Sequence, residues 1–281
     1  MQGIVLINKE KNMTSFDVVK RINRYTHLKV GHTGTLDPQA TGVLVCLVNN
    51  TKVLNFLDMS TKTYRAQLLF GKRTDTLDIW GEILQQKEIV PFTKEQVIDV
   101  LQSFVGITQQ KVPMVSAKKI KGKKLYEYHR EKKEIEQPII DIEVFSINLI
   151  DIDNISIEFD VTVSSGTYIR ALCESIAMKL NNIGAMSSLV RLQCGIFKLE
   201  DCHTLEEILS DLPSYLIDIK EGLKHLPFVE IENPTNIYHG KVLDYDYVGE
   251  KAVVIYKQQA LAIIEYKETE HKYRVLRGLW I

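Results

Sequence analysis

No stretch of the 281-residue sequence approaches the roughly 18 consecutive apolar residues that a membrane-spanning helix needs. The segment from Met1 to Lys9 has no basic region ahead of its short apolar run, so it predicts a first strand rather than a signal peptide. The four cysteines show no CxxC spacing, and Cys46 and Cys173 lie in apolar segments. That pattern predicts buried thiols in a reducing cytoplasm and argues against disulfides and a zinc site.

The sequence also has no large excess of positive or negative charge. Its 35 Lys and Arg residues nearly balance its 36 Asp and Glu residues, which gives a formal net charge of −1. The sum does not indicate nucleic-acid binding, but the distribution matters more than the sum. Residues 111–133 hold nine Lys or Arg against two acids, whereas residues 134–160 hold eight acids and no Lys or Arg. A chain segregated in this way can present one basic face to phosphate while staying near neutral overall.

Glycine is concentrated around one carboxylate. The segment from Gly31 to Leu44 reads GHTGTLDPQATGVL, and the apolar run at residues 43–48 predicts a buried strand. Glycine permits backbone conformations that a Cβ forbids, and Pro38 biases Asp37 away from the helical region. The local chemistry therefore predicts a rigid loop that presents Asp37 at the mouth of that strand, although an Asp-Pro pair also commonly opens an ordinary turn.

This segment resembles the catalytic signature of the TruB family, the tRNA pseudouridine synthases that modify uridine 55 in the T arm. The match spans fourteen residues, with position 39 free to vary and every glycine in place. The resemblance implies that Asp37 is the nucleophile and that His32 fills the space left by the flipped base. It also implies a substrate-binding role for Lys9, in the loop after the first strand. The family's usual Asp-Lys-Pro is here Asn8-Lys9-Glu10, and an exposed lysine is the alternative.

Two further segments match the family before residue 80. The run KTYR at residues 62–65 implies that Tyr64 packs against the target base, whereas a half-buried strand tyrosine is the commoner case. The run TDTLD at residues 74–78 matches a Thr-Asp-Thr-x-Asp loop. There we expect Asp78 to orient basic residues rather than to touch RNA itself.

The second family signature, GTYIR, lies at residues 166–170 and opens a predicted helix. It implies that Tyr168 contacts the flipped uracil or its sugar and that Arg170 pairs with Asp37, although periodicity alone equally allows a surface arginine. The family's Leu-Arg-Arg is reduced to Leu-Val-Arg here. We therefore expect Leu189 to form the apolar wall of the uracil pocket and Arg191 to be the remaining basic residue.

The basic segment interleaves lysines with tyrosines, which suits phosphate contact and stacking on exposed bases. A solvated charged helix is the alternative, but KKLYEY at residues 123–128 matches the family. In TruB relatives this region is a mobile insertion that folds over the T loop, and ordering on RNA binding fits its charge and low apolar content. The residues assigned to RNA binding here are Lys119, Lys123, Lys124 and Tyr126.

The resemblance implies an α+β fold. We expect a central mixed, largely antiparallel sheet flanked by helices, in a pseudouridine synthase domain at residues 1–225. Its basic insertion is placed at about residues 111–135. Residues 226–281, which read as short strands and turns, are expected to form a small C-terminal β-rich, PUA-like RNA-binding domain.

The first helix has the clearest start signal. Thr14 and Asp17 form a predicted capping box, and the helix that follows is expected to place Phe16, Val19 and Ile22 on one face. Strands are predicted at residues 3–8, 43–48, 63–71, 82–89, 141–149 and 155–163, and a second capped helix at residues 93–104.

The chemistry that the resemblance implies needs neither cofactor nor metal, because the uracil is detached, turned and rejoined without oxidation. A carboxylate is an established nucleophile at sugar carbons. Attack at the anomeric carbon, a glycal route to it, and attack at C6 of uracil all stay open. We expect Arg170 to keep the carboxylate charged and the Tyr64 hydroxyl to move a proton from the sugar or from C5.

The sequence therefore predicts a cytoplasmic, monomeric enzyme that acts on the T-arm stem-loop of tRNA without a membrane or an obligatory protein partner. One alternative is an RNA-binding tRNA-folding helper, which would still work as Asp37→Asn. Another is the guide-dependent branch of the superfamily, but its members usually carry longer extensions than this chain, which begins almost at its first strand. An aspartate-nucleophile hydrolase would need a second carboxylate beside Asp37.

Overall fold

The computed structural model describes residues 1–133 and 135–280. Glu134, inside the predicted insertion, and Ile281, at the end of the predicted C-terminal domain, lie outside the described residues. The chain forms two compact units, and the domain boundary predicted after residue 225 stays a prediction. The first unit comprises Met1–Pro38, Val43–Met59 and Gly195–Ile281, and the second comprises Gln39–Gly42 and Ser60–Cys194.

Strands outnumber helices in the described residues. None of the helices in the described ranges is long and apolar enough to cross a membrane. The strands are β1 (Gly3–Lys9), β2 (Val30–His32), β3 (Thr41–Val48), β4 (Thr61–Phe70), β5 (Lys72–Thr74), β6 (Ile83–Gln86), β7 (Gly106–Lys111), β8 (Lys119–Ile120), β9 (Lys123–Lys124), β10 (Ile139–Ile152), β11 (Ser156–Ser164), β12 (Gly184–Cys194), β13 (Phe197–Lys198), β14 (Phe228–Glu230), β15 (Lys251–Tyr256), β16 (Gln259–Lys267) and β17 (Lys272–Gly278). The helices are α1 (Ser15–Thr26), α2 (Lys94–Gln102), α3 (Leu125–Arg130), α4 (Ile169–Lys179), α5 (Leu205–Ser210) and α6 (Thr235–Tyr238), with 3-10 turns at Thr51–Phe56, Leu199–Asp201, Leu212–Tyr215 and Ile219–Leu223.

In the first unit, β1 and β2 lie on either side of β3. Residues 43–48 of β3 are all buried, as the apolar run predicted. The capping box that opens α1 is confirmed, since Asp17 N donates to Thr14 Oγ1 at 3.0 Å and Thr14 N donates to Asp17 Oδ2 at 2.9 Å. Two of the four orphan donors at the start of α1 are satisfied in this way.

The predicted inner face of α1 is wrong at one position. Phe16 is 67% exposed, whereas Ser15, Val18 and Ile22 are fully buried. The helix is rotated so that Ser15, not Phe16, faces inward, because the Ser15 hydroxyl bonds to the loop of the GHTGTLDP segment. A polar contact has displaced the aromatic ring that hydrophobic periodicity alone would bury.

The C-terminal part of the first unit contains a separate sheet in the order β14-β15-β16-β17, parallel between β14 and β15 and antiparallel elsewhere. Its core includes the fully buried Tyr273, whose hydroxyl donates to Gly249 O at 2.7 Å. The short strands predicted in this region are confirmed. They give the small β-rich part that the expected fold requires.

In the second unit, neighbouring strands run antiparallel in the order β7-β10-β11-β4-β12. The start of β3 differs, because Thr41 and Gly42 pair in parallel with Val190 and Arg191 of β12. A Cβ on Gly42 would collide with the backbone of Arg191, so glycine is required at this junction. With α2 and α4 packed on the sheet, the predicted α+β class with a mixed, largely antiparallel sheet is confirmed.

The four cysteines are all free thiols, as predicted; Cys46, Cys173 and Cys194 are buried, whereas Cys202 is partly exposed. Burial raises the pKa of the Cys173 thiol, because the thiolate would lose its solvation.

Candidate active site

In the first unit, Asp37 lies in the loop between β2 and β3 and is partly exposed. Fully buried Ser15 fixes the residue before it. Leu36 N donates to Ser15 Oγ at 2.9 Å, and Ser15 Oγ lies 3.2 Å from Leu36 O. The first residue of α1 thus holds both backbone groups of Leu36, and the loop is rigid where the sequence predicted rigidity.

Lys9 fixes the residue after Asp37. Its Nζ donates to the carbonyl oxygens of Glu10 at 2.8 Å, Met13 at 2.8 Å and Pro38 at 3.2 Å. We expected Lys9 in a loop after the first strand, but it is the last residue of β1 and has no exposed surface. The predicted loop position was therefore wrong, because the Lys9 side chain is buried and bonds to backbone carbonyl oxygens, including that of Pro38 in the Asp37 loop. Its assignment to the substrate-binding residues stays a prediction.

His32 ends β2, pairs with Cys46 of β3 and is partly exposed. The loop therefore leaves β2 at His32 and returns to β3, and Thr33 N donates to Val45 O at 2.9 Å across the same two strands. His32 thus stands at the start of this loop, and Asp37 lies near its middle.

In the second unit, three predicted site residues share one face of the sheet. Tyr64 of β4 lies opposite Arg191 of β12, and Leu189 lies opposite Ala66. Directly opposite residues point to the same side of a sheet, so the Tyr64 ring, Leu189 and the guanidinium of Arg191 are on one surface. Tyr64 and Leu189 are each 7% exposed, and Arg191 is fully buried.

The same face carries Lys62, which the sequence reasoning missed. Lys62 is buried, and its Nζ donates to Ser165 Oγ at 2.8 Å. Burial is the main cause that lowers the pKa of Lys62, and nearby Arg191 lowers it further, whereas Cys194 opposes the shift. The period-2 alternation of β4 already placed Lys62 beside Tyr64, and this signal could have found it.

Arg170 lies in the first turn of α4 and is 5% exposed. Its Nη1 donates to Thr76 O at 2.6 Å, and its Nη2 donates to Val115 O at 2.9 Å. The carboxylate of Asp78 is 3.8 Å from Nη1, so a negative charge stands beside the guanidinium, as expected for an acid that orients a basic residue. The pairing of Arg170 with Asp37 stays a prediction.

Tyr168, one residue before α4, is held by a residue that no sequence signal indicated. Tyr168 N donates to Gln110 Oε1 at 2.8 Å, and Gln110 Nε2 donates to Tyr168 O at 3.1 Å. The buried amide of Gln110 on β7 thereby fixes the backbone of Tyr168. The side chain of Tyr168 stays partly exposed.

The basic insertion has regular structure, a β8–β9 pair followed by α3, with Lys119 opposite Lys124. Lys124 Nζ lies 5.4 Å from the centre of the Tyr126 ring, and Lys123 pairs with Glu131. The interleaved lysines and tyrosines therefore contact one another as cation–π pairs. The insertion also contacts a neighbouring loop, because His129 Nε2 is 3.1 Å from Asp75 Oδ2.

Comparison with known proteins places these features in a family. Residues 20–169 match the TruB family pseudouridylate synthase (N terminal domain). The tRNA pseudouridine synthase B of Bacillus pumilus (strain SAFR-032) is 40% identical over 258 residues, covering 86% of this chain and 84% of that protein. The protein of the same name from Caldanaerobacter subterraneus subsp. tengcongensis is 41% identical over 264 residues, covering 89% of this chain and 93% of that one.

Solved structures show the same fold at lower identity. A Cbf5-Nop10-Gar1 complex contains a chain that is 22% identical, with a TM-score of 0.75 over 99% of this chain and 85% of that chain. An H/ACA RNP bound to a substrate RNA containing 2'-deoxyuridine gives a TM-score of 0.75 at 21% identity, with the same coverage.

Proposed function

Since the chain belongs to the TruB family of pseudouridylate synthases, we propose that it converts uridine 55 in the T loop of tRNA to pseudouridine, with Asp37 as the nucleophile. Pseudouridine synthases are isomerases, and the relatives that match over most of both chains are named tRNA pseudouridine synthase B. The observation that carries the assignment of Asp37 is its loop, in which Ser15 and Lys9 anchor the residues on either side of it.

The reaction is a rearrangement within one nucleotide. The bond from uracil N1 to C1' of the ribose breaks, a bond from C5 to C1' forms, C5 loses its proton, and N1 gains one. Because nothing is oxidised, we propose that the enzyme works without a cofactor. Asp37 attacks either the sugar or C6 of the ring, and both routes remain within the proposal.

We assign the second catalytic role to Tyr64, whose hydroxyl moves a proton during release or reattachment of the base. Arg170 is assigned to hold the Asp37 carboxylate in its charged form. This assignment is supported by the fixed position of the Arg170 guanidinium, whose Nη1 and Nη2 donate to the carbonyl oxygens of Thr76 and Val115. A guanidinium held in this way is pre-organised and loses little entropy on binding substrate.

The remaining residues are proposed to bind RNA. His32 replaces the flipped base in the stack, Leu189 forms the apolar wall of the uracil pocket, and Tyr168 contacts the uracil or its sugar. The further RNA-binding and supporting residues are Lys9, Asp78, Lys119, Lys123, Lys124, Tyr126 and Arg191. The T arm of tRNA is the proposed partner of a monomeric enzyme acting in the cytoplasm.

The direct test is to incubate purified protein with an unmodified tRNA transcript and to map pseudouridine by carbodiimide treatment and primer extension. We expect a stop at uridine 55 with the wild type and none with Asp37→Asn. A wild-type reaction at another uridine would overturn the proposed position. An RNA-folding helper would leave no stop with either protein.

A further inference from the structure

Exposed apolar side chains are concentrated on the hairpin of β5 and β6, directly after Asp78 in the chain. Ile79, Trp80, Ile83 and Leu84 are 42%, 43%, 56% and 60% exposed. Single exposed apolar residues are ordinary, but four within six positions are not, even though Ile83 and Leu84 follow one another on β6 and point to opposite faces.

The loop that presents Trp80 is rigid. Asp78 Oδ1 accepts from Thr76 Oγ1 at 2.7 Å and from Trp80 N at 3.1 Å. Ile79 N donates to Met186 O at 3.0 Å, which ties the loop to β12. The indole is therefore exposed on a pre-organised backbone, so its use in binding costs little conformational entropy.

The next residue, Gly81, packs tightly inside the turn. A Cβ on Gly81 would collide with Thr76 Oγ1 and with Asp75 Oδ1, which accepts from Glu82 N at 2.8 Å. Glycine therefore allows the turn to close tightly directly after Trp80. The side chain of Trp80 itself is 43% exposed.

The position of the loop indicates what the indole contacts. Asp78 lies beside Arg170, and Asp75 contacts His129 of the basic insertion, so Trp80 stands on the segment that joins these two regions. Lys72 on β5 is exposed close by in the chain. The loop also carries Asp75, Asp78 and Glu82, so what suits a nucleobase here is the exposed aromatic face itself and not a surrounding positive charge.

We propose that the indole of Trp80 stacks on an unpaired nucleobase of the bound RNA. This rests on the proposed function, and it adds a contact outside the reacting nucleotide. A base is favoured over a protein, since four partly exposed side chains offer well under the roughly 800 Å² per partner of a stable protein interface. Stacking accepts any base, so the contact adds affinity rather than sequence preference.

The chain contains two tryptophans, which allows a direct optical test. In Trp280→Phe the only indole is Trp80, and in Trp80→Phe it is Trp280. We expect an unmodified T-arm stem-loop to quench the emission of Trp280→Phe by at least half at saturation, and that of Trp80→Phe by much less. Unchanged emission of Trp280→Phe at saturating RNA would overturn the stacking.

Binding measurements supply the second arm. We expect Trp80→Ala to weaken the Kd for the stem-loop roughly 5- to 150-fold and Trp80→Phe to stay within about 3-fold of wild type, because one base stack is worth about 1–3 kcal/mol. The control is Ile107→Ala, which removes a side chain that is 78% exposed on β7 and should bind as wild type. Wild-type binding by Trp80→Ala would overturn the proposal. The exposed apolar side chains of this hairpin would then be a candidate contact for a protein instead. If the wild type formed no pseudouridine in tRNA, the proposed function, and not the stacking contact, would be overturned.

Discussion

Lys9 donates a hydrogen bond from Nζ to the carbonyl oxygen of Pro38 at 3.2 Å, although the two residues are 29 positions apart. The same ammonium group bonds to the carbonyls of Glu10 and Met13. A fully buried cation thus joins the end of β1 to the residue next to Asp37. Buried charge is tolerated only when it is well hydrogen-bonded, so this lysine stabilises one particular loop conformation.

The first prediction concerns this contact. Lys9→Met keeps much of the side-chain volume but leaves buried carbonyls without their donor. We expect a loss of about 2–4 kcal/mol in the free energy of unfolding, together with slower turnover, because such unpaired groups cost about 1–3 kcal/mol each. Urea titration and single-turnover kinetics measure the two effects. The control is Lys11→Met, an exposed lysine two residues on; if it had the same effect, Lys9 would have no special role.

The second prediction concerns Arg170. Arg170→Lys keeps the charge but replaces the two separate nitrogens that donate to Thr76 O and Val115 O with a single nitrogen, so the two bonds cannot keep their present geometry. We expect turnover to fall about 100-fold, as misplacement of a catalytic group typically does. Hydrogen exchange around residue 115 should become faster. Retained turnover with unchanged exchange would contradict the assigned role.

The control for this variant lies on β4. Arg65 makes two bonds of 2.8 Å to the carboxylate of Asp160 and is partly exposed. Arg65→Lys should leave turnover unchanged, because exposed pairs contribute little.

The third prediction separates binding from chemistry at Tyr64. Tyr64→Phe keeps a buried ring and removes only the hydroxyl. We expect the Kd for tRNA to be unchanged and the single-turnover rate to fall roughly 100- to 10,000-fold, the usual contribution of a general acid or base. The control is Tyr25→Phe, at a position that is 55% exposed. An unchanged rate for Tyr64→Phe would remove this hydroxyl from the mechanism.

The fourth prediction concerns pH. Burial lowers the pKa of Lys62 below 10.5, so between the folded pKa and 10.5 the unfolded chain binds more protons than the folded one. The contribution of Lys62 to stability therefore rises with pH across that window and is unfavourable below it. Urea unfolding from pH 7 to 10 should show a smaller rise for Lys62→Met than for wild type. Parallel curves for the two proteins would contradict the lowered pKa.

Features that depend on neighbours along the chain were predictable from sequence. The capping box at Thr14 and the buried strand at residues 43–48 follow from local side-chain chemistry and patterning, and both are confirmed. The resemblance to the TruB family identified the loop of Asp37 and the segments of Tyr64 and Arg170 through their matching residues.

Features that depend on backbone acceptors far away in the chain were not predictable. The partners of Lys9 are carbonyl groups, and every residue type carries one, so no pattern of side chains reveals the pairing. The amide of Gln110 bonds to the backbone of Tyr168 in the same way, 58 residues away. The burial predicted for Phe16 was wrong for a related reason. The hydroxyl of Ser15 bonds to the backbone of Leu36, so Ser15 lies on the inner face of α1 and Phe16 does not.

The central claim is that the carboxylate of Asp37 forms the bond that releases the base. Its most direct test is tritium release from tRNA labelled at C5 of uracil, measured under single turnover for wild type, Asp37→Asn and the exposed control Glu10→Gln. The account predicts release by wild type and Glu10→Gln, and none by Asp37→Asn even when tRNA is bound. Release by Asp37→Asn at a rate near that of wild type would contradict it.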